Sequence, residues 1–238
     1  MDVVISSRVK SHGMCPVYSA PFTSCAPARG LAFSTDEDVV LCPDIFSTGL
    51  SRAESGNIKI GDAVAVFAQG PIGLCATVGA KLKGAALIIG VDSNDERLAV
   101  ARRLGANVTL NTKNGDPVLE IKRLTAGRGV DVAIEACTPG SSWRRTRRST
   151  LASGIKRSSR RSVLEAKRMR RLMTMVENRR VDLTALVTHK FALDQIQEAF
   201  DLFSHQRNGV LKVALYPDAT RVQGGREVVG VRVADEPC

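Results

Sequence analysis

Between residues 63 and 135 short apolar runs alternate with stretches of helical period. Ala63–Phe67 (AVAVF) is uninterrupted apolar sequence, with the length and composition of a strand buried on both faces. Ile72–Lys83 then repeats its apolar positions at helical spacing and stops at Gly84. Leu87–Val91 reads as a second buried strand. Asn94–Leu104 reads as a helix in which Leu98, Val100, Ala101 and Leu104 interleave with Arg97, Arg102 and Arg103, closed by Gly105. Val108–Leu110, a helix over Pro117–Thr125 and a strand over Val130–Glu135 continue the alternation. This grammar predicts an α/β fold with parallel strands joined by right-handed crossovers.

The flanks read differently. Residues 1–33 show no period and are expected to be irregular. Ser34 or Thr35 can cap a helix opening on Asp36-Glu37-Asp38, because acids favour the unpaired N–H groups of a first turn. Gly56 closes that segment, and Lys59–Asp62 reads as a turn. Residues 138–166 hold no strand-like run and are expected to form a basic, irregular insert. Order returns with a helix over Lys167–Asn178, the stretch Leu186–Phe191, a helix over Leu193–His205 and a strand over Val210–Tyr216. The tail 218–238, with its Val228–Val233 stretch, reads as loose. The expected division is therefore 1–33, 34–137, 138–166, 167–217 and 218–238.

Composition changes little in this picture. Hydrophobic content of 44% and charged content of 24% are ordinary for a soluble globular chain. No apolar run approaches the roughly 18 residues that span a bilayer, so no membrane partner is expected. The first thirty residues lack the apolar core of a secretory signal, and no cysteines pair as C-x-x-C. A cytoplasmic location with reduced thiols is the expectation. The net charge of +10 is local: Arg144–Arg171 holds twelve Lys and Arg against one acid, Glu165. Its doublet arginines and the lone Trp143 fit no RNA or DNA module, which argues against a nucleic-acid partner.

Chemistry enters at the end of the first strand. Ala63–Phe67 runs into Ala68-Gln69-Gly70-Pro71-Ile72-Gly73, an A-x-G-x-x-G form of the dinucleotide fingerprint. Gly70 lets backbone approach a pyrophosphate, Gly73 lets the helix pack close to the strand, and the helix N-terminus attracts the phosphates. Asp92 follows Gly70 by 22 residues, at the end of the next strand, where a carboxylate accepts from ribose hydroxyls. That carboxylate repels a 2′-phosphate and so favours NAD; Arg97, one turn on, leaves NADP open.

Cys42-Pro43-Asp44-Ile45-Phe46-Ser47-Thr48-Gly49, Gly61–Phe67, Gly70–Gly73, Gly90-Val91-Asp92, Arg103–Ala106, Gly127–Asp131, Leu186–Phe191 and Leu211–Val213 occur in that order. Together they resemble the zinc-dependent medium-chain alcohol dehydrogenases, and the PDIxSTG form is most similar to the secondary-alcohol branch. The resemblance covers about Thr35–Cys137 and Lys167–Pro217. It implies a doubly wound Rossmann sheet, here partial, with the GroES-like catalytic domain largely missing. It further implies an oxidoreductase that transfers hydride between a small alcohol or ketone and NAD(P), with zinc as Lewis acid. By the same resemblance Asp44 stands at the branch's third zinc-ligand position and Thr48 at the catalytic centre, against the nicotinamide. Gln69, Gly70, Pro71, Ile72 and Gly73 match the pyrophosphate loop. Asp92, Ser93, Asn94 and Arg97 match the adenosine end, and Thr112 and Lys212 further cofactor contacts. The family's other zinc ligands, a Cys and a His, come from the missing domain, and His12 and Cys15 do not match its motifs. The resemblance therefore implies a truncated chain with impaired catalysis and leaves homo-oligomerisation open. The alternative is a non-catalytic nucleotide- or nucleic-acid-binding protein.

Overall fold

The computed structural model describes residues 3–5, 37–136, 166–205 and 209–217. They fall into two compact units: residues 9–183, and residues 1–8 with 184–238. The basic segment 138–165 and the tail lie outside the described residues.

The larger unit is built on a four-stranded parallel sheet. Its strands are β2 (Ala63–Phe67), β3 (Leu87–Asp92), β4 (Val108–Asn111) and β5 (Val132–Glu135), in the order β4-β3-β2-β5. Helices α3 (Pro71–Leu82), α4 (Asp95–Leu104) and α5 (Pro117–Leu124) connect them. Both sheet faces are covered, which is why β2 and β3 carry continuous apolar sequence instead of alternation. One face packs Ala65, Ile89 and Val91 against Val118 and Ile121 of α5 and against Val130.

Local chemistry sets the helix ends. Asn94 caps α4, its side chain accepting from the N–H of Glu96 at 2.8 Å and of Arg97 at 3.2 Å. Asp116 caps α5 by accepting from Val118 N–H at 2.9 Å, and Pro117 follows at the first helical position. Gly105 ends α4 at φ 122°, backbone that a residue with a Cβ reaches only under strain.

Before the sheet, the segment expected as one helix from residue 36 is broken. It comprises α1 (Glu37–Val40), a π-helical turn over Cys42–Phe46 and α2 (Ser47–Ser55). Pro43 has no N–H to give, and Phe46 N–H reaches back five residues to the Leu41 carbonyl at 2.9 Å. The Ser47 hydroxyl, donating to the Pro43 carbonyl at 2.8 Å, joins the turn to α2. Helices α2 and α3 meet through small residues. A Cβ on Gly49 would overlap that of Cys75, and one on Gly79 would lie 2.8 Å from that of Ala53. The helix α6 (Ala166–Glu177) also belongs to this unit and packs against α1, α2 and the π turn. The boundary between the two units falls at 183/184.

The smaller unit is a three-stranded parallel sheet in the order β1-β7-β6. Its strands are β1 (Val3–Ile5), β6 (Val187–Ala192) and β7 (Lys212–Tyr216), and α7 (Ile196–Ser204) connects β6 to β7. Val213 and Leu215 pack with Ala199 of α7 and Val210. The expectation that all of residues 1–33 is irregular is corrected here: Val3, Val4 and Ile5 pair with Val213, Ala214 and Leu215. Three residues are too few for a period to show. Their pairing is decided by the partner strand, far off in sequence.

Candidate functional site

In the larger sheet β3 and β4 lie on one side of β2 and β5 on the other. The connections therefore diverge at the carboxyl end of β2, the topological switch point beside which sheets of this kind take their ligands. The segment leaving β2 at this point is Ala68–Gly73.

Ala68 sits at φ 67°, in the left-handed region, with its N–H donating to the Val91 carbonyl at 2.8 Å. This is where the fingerprint usually has glycine, and an L-residue there is strained by about 1–2 kcal/mol. Ala68→Gly is expected to stabilise the chain by about 1 kcal/mol, after the extra chain entropy of glycine is discounted. Urea unfolding checks this, and an unchanged or lower midpoint would refute the assigned strain.

Gly70 has ordinary extended backbone, φ −69° and ψ −179°, and a Cβ built on it meets nothing within 4 Å. The fold itself does not need a glycine here; the empty space in front of it is a cradle that a side chain would fill. Gly70 is also the N-cap of α3, with Pro71 next and no side-chain cap, whereas α4 and α5 are capped by Asn94 and Asp116. The first-turn N–H groups and positive dipole of α3 thus face the cradle. Gly73 has a different reason to be glycine, since a Cβ on it would overlap the Ala68 carbonyl oxygen.

Asp92 ends β3 beside this loop and is 8% exposed. Its Oδ2 accepts from Gln69 N–H at 2.6 Å, and its Oδ1 accepts from Ser93 N–H at 2.7 Å and Asn94 N–H at 3.0 Å. Its backbone carbonyl accepts from Thr112 N–H at 2.9 Å. The loop Gln69–Gly73, Asp92–Asn94 and Thr112 therefore converge at the carboxyl ends of β2, β3 and β4. Arg97 stands in the first turn of α4, half-buried.

Asp44, exposed, lies in the π turn, and half-buried Thr48 lies in the first turn of α2; the π turn packs against α3. Lys212 is in the smaller unit, 1% exposed on β7. Nearby on β6, the Thr188 hydroxyl accepts from Leu211 N–H at 3.0 Å and donates to the Lys212 carbonyl at 3.2 Å. His189 Nδ1 lies 3.0 Å from that hydroxyl, and burial pushes the imidazole below its ordinary range. One residue, Thr77, escaped the sequence reading. Thr77 is fully buried in α3, and the Gln69 side chain points inward to meet it. A hydroxyl inside the otherwise apolar stretch Leu74–Ala80 was the available signal.

A model of the zinc-binding dehydrogenase family matches residues 71–154. Over 208 residues the chain is 50% identical to an alcohol dehydrogenase of Cupriavidus necator, a match taking in 77% of this chain and 57% of that enzyme. These matches make the chain similar to the zinc-dependent medium-chain alcohol dehydrogenases. An NADP-dependent isopropanol dehydrogenase of Thermoanaerobacter brockii is 33% identical over 74% of this chain and 58% of its own length. Among solved structures, the alcohol dehydrogenase TADH from Thermus sp. ATN1 shares the fold. It has a TM-score of 0.66 at 22% identity, over 82% of this chain and 64% of that one. The chain thus spans a little over half the length of these family members.

The family is one of NAD(P)- and zinc-using dehydrogenases, and the two groups fare differently here. The open cradle at Gly70, the uncapped α3 and the Asp92 carboxylate suit a dinucleotide. For zinc, no group of three His, Cys, Asp or Glu side chains among the described residues is placed to hold a metal ion. Asp44 alone is an insufficient donor set for a tetrahedral zinc with three protein ligands. No helix among the described residues is long and apolar enough to cross a membrane.

Proposed function

We propose that the larger unit holds the adenosine and pyrophosphate portion of NAD for an alcohol dehydrogenase-type reaction. In that reaction hydride leaves the carbinol carbon of an alcohol for the nicotinamide, and a proton and a carbonyl product remain. The observation that carries the reading is the pairing of the empty cradle at Gly70 with the Asp92 carboxylate at the neighbouring strand end. In this reading the N–H groups opening α3 bind the pyrophosphate, and Gly70 lets its oxygens approach the backbone. Asp92 accepts from the adenosine ribose, and Thr48 flanks the nicotinamide. Lys212 is proposed as a further cofactor contact. Asp44 is proposed as a metal ligand only where further donors, outside the described residues, complete the set; no step is assigned through zinc. The substrate class is a small secondary or primary alcohol, or the matching ketone or aldehyde.

The test is a fluorescence titration of the full chain with NADH and with NADPH. NADH is expected to saturate, and NADPH to bind at least about tenfold more weakly, because a 2′-phosphate beside Asp92 sets like charges together. Equal affinities would remove the NAD preference. Absence of binding by both would remove the dinucleotide site.

A further inference from the structure

Gln69 is in the loop that approaches the nucleotide, yet its side chain is turned away and fully buried. Its Nε2 donates to the Val66 carbonyl at 2.8 Å, and its Oε1 accepts from the Thr77 hydroxyl at 3.0 Å. The amide lies against Gly90, where an added Cβ would come to 3.4 Å from its Cδ. Meanwhile its backbone N–H donates to Asp92 Oδ2 at 2.6 Å. One residue thus ties together the end of β2, the second turn of α3 and the carboxylate ending β3.

The energetics make this link stiff. A buried amide or hydroxyl left without its partner incurs the full desolvation cost, so Gln69 and Thr77 hold each other in one arrangement. A carboxylate has about four lone-pair positions. At Asp92 two on Oδ1 are taken by Ser93 and Asn94, and one on Oδ2 by Gln69. One acceptor position remains, on the oxygen whose direction the Gln69 N–H sets.

We propose that Gln69 and Thr77 are positioning residues: their buried amide–hydroxyl pair fixes the Gln69 N–H and thereby the direction in which Asp92 Oδ2 receives a ribose hydroxyl. This rests on reading Asp92 as the ribose acceptor, and it adds two side chains that touch no cofactor atom. It also makes that acceptor selective for a single hydroxyl of the diol.

The test is calorimetric binding of ADP, 2′-deoxy-ADP and 3′-deoxy-ADP to the full chain and to its Thr77→Val, Thr77→Ala, Thr77→Ser and Gln69→Met variants. In the unaltered chain, loss of one of the two hydroxyls is expected to weaken binding about tenfold, the worth of a hydrogen bond to a charged group. In Thr77→Val, Thr77→Ala and Gln69→Met that ratio is expected to fall towards one while ADP itself still binds; Thr77→Ser, which keeps the hydroxyl, is expected to retain it. A purely structural role would lower the melting temperature and leave the ratio unchanged, which overturns the proposal. Unaltered chain that binds ADP without distinguishing the deoxy forms also overturns it, and leaves the nucleotide site standing. Unaltered chain that binds neither ADP nor NADH overturns both.

Discussion

Gly70→Val is expected to keep the fold and to lose NADH. The backbone at Gly70 lies in the extended region, which valine adopts readily, and nothing within 4 Å obstructs a Cβ. The change in stability should therefore stay within about 0.5 kcal/mol, as for an unencumbered surface position. The same Cβ and its methyl groups would occupy the space in front of the α3 N-terminus. Overpacking of about 1–3 kcal/mol converts to roughly ten- to hundredfold weaker binding. A melting curve and an NADH titration on the same sample read both effects. A variant that melts normally and binds NADH like the parent would show that the cradle is not the pyrophosphate site.

Gly73→Ala is expected to do the reverse and damage the fold first. Its Cβ would overlap the Ala68 carbonyl oxygen, and that carbonyl has nowhere to retreat. Ala68 is already at φ 67° and is held by its N–H to Val91, while Gln69 next to it is anchored to Asp92 and Val66. The clash must push α3 off the sheet, at a cost of about 1–3 kcal/mol and occasionally more. For a chain of this size that lowers the melting temperature by roughly 2–4 °C per kcal/mol. NADH binding falls with it, because the α3 N-terminus moves. A melting temperature within a degree of the parent would mean that α3 is not seated as tightly as the geometry says. Two glycines of one motif, three residues apart, are thus glycine for separate reasons: one for the ligand, one for the protein.

That distinction marks how far the sequence could be read. The A-x-G-x-x-G pattern located the loop, and Asp92 was legible as its companion at the next strand end. The motif already assigned Gly70 to the ligand and Gly73 to close packing, but not that the atom excluding a Cβ at Gly73 is the Ala68 carbonyl oxygen. Gln69 was legible as a loop residue, but the inward turn of its side chain was not. That turn depends on Thr77, Val66 and Gly90, brought together only when α3 packs on the sheet. Asp44 and Thr48 were legible through the PDIxSTG stretch, whereas the π turn that presents them follows from Pro43 and the packing around it.

By itself the sequence determined the alternation of strands and helices, the parallel sheet, and the place along the chain where the glycine-rich loop leaves β2. These features are local: run length, helical period, caps such as Asn94 and Asp116, and stops such as Gly105 act within a few residues. Only the tertiary structure decided the β4-β3-β2-β5 order that puts the switch point at β2. It also decided the left-handed Ala68, the pairing of Val3–Ile5 with β7 and the membership of α6 in the larger unit. Each of these is fixed by contacts distant in sequence, and no local pattern encodes a partner that folding alone brings near.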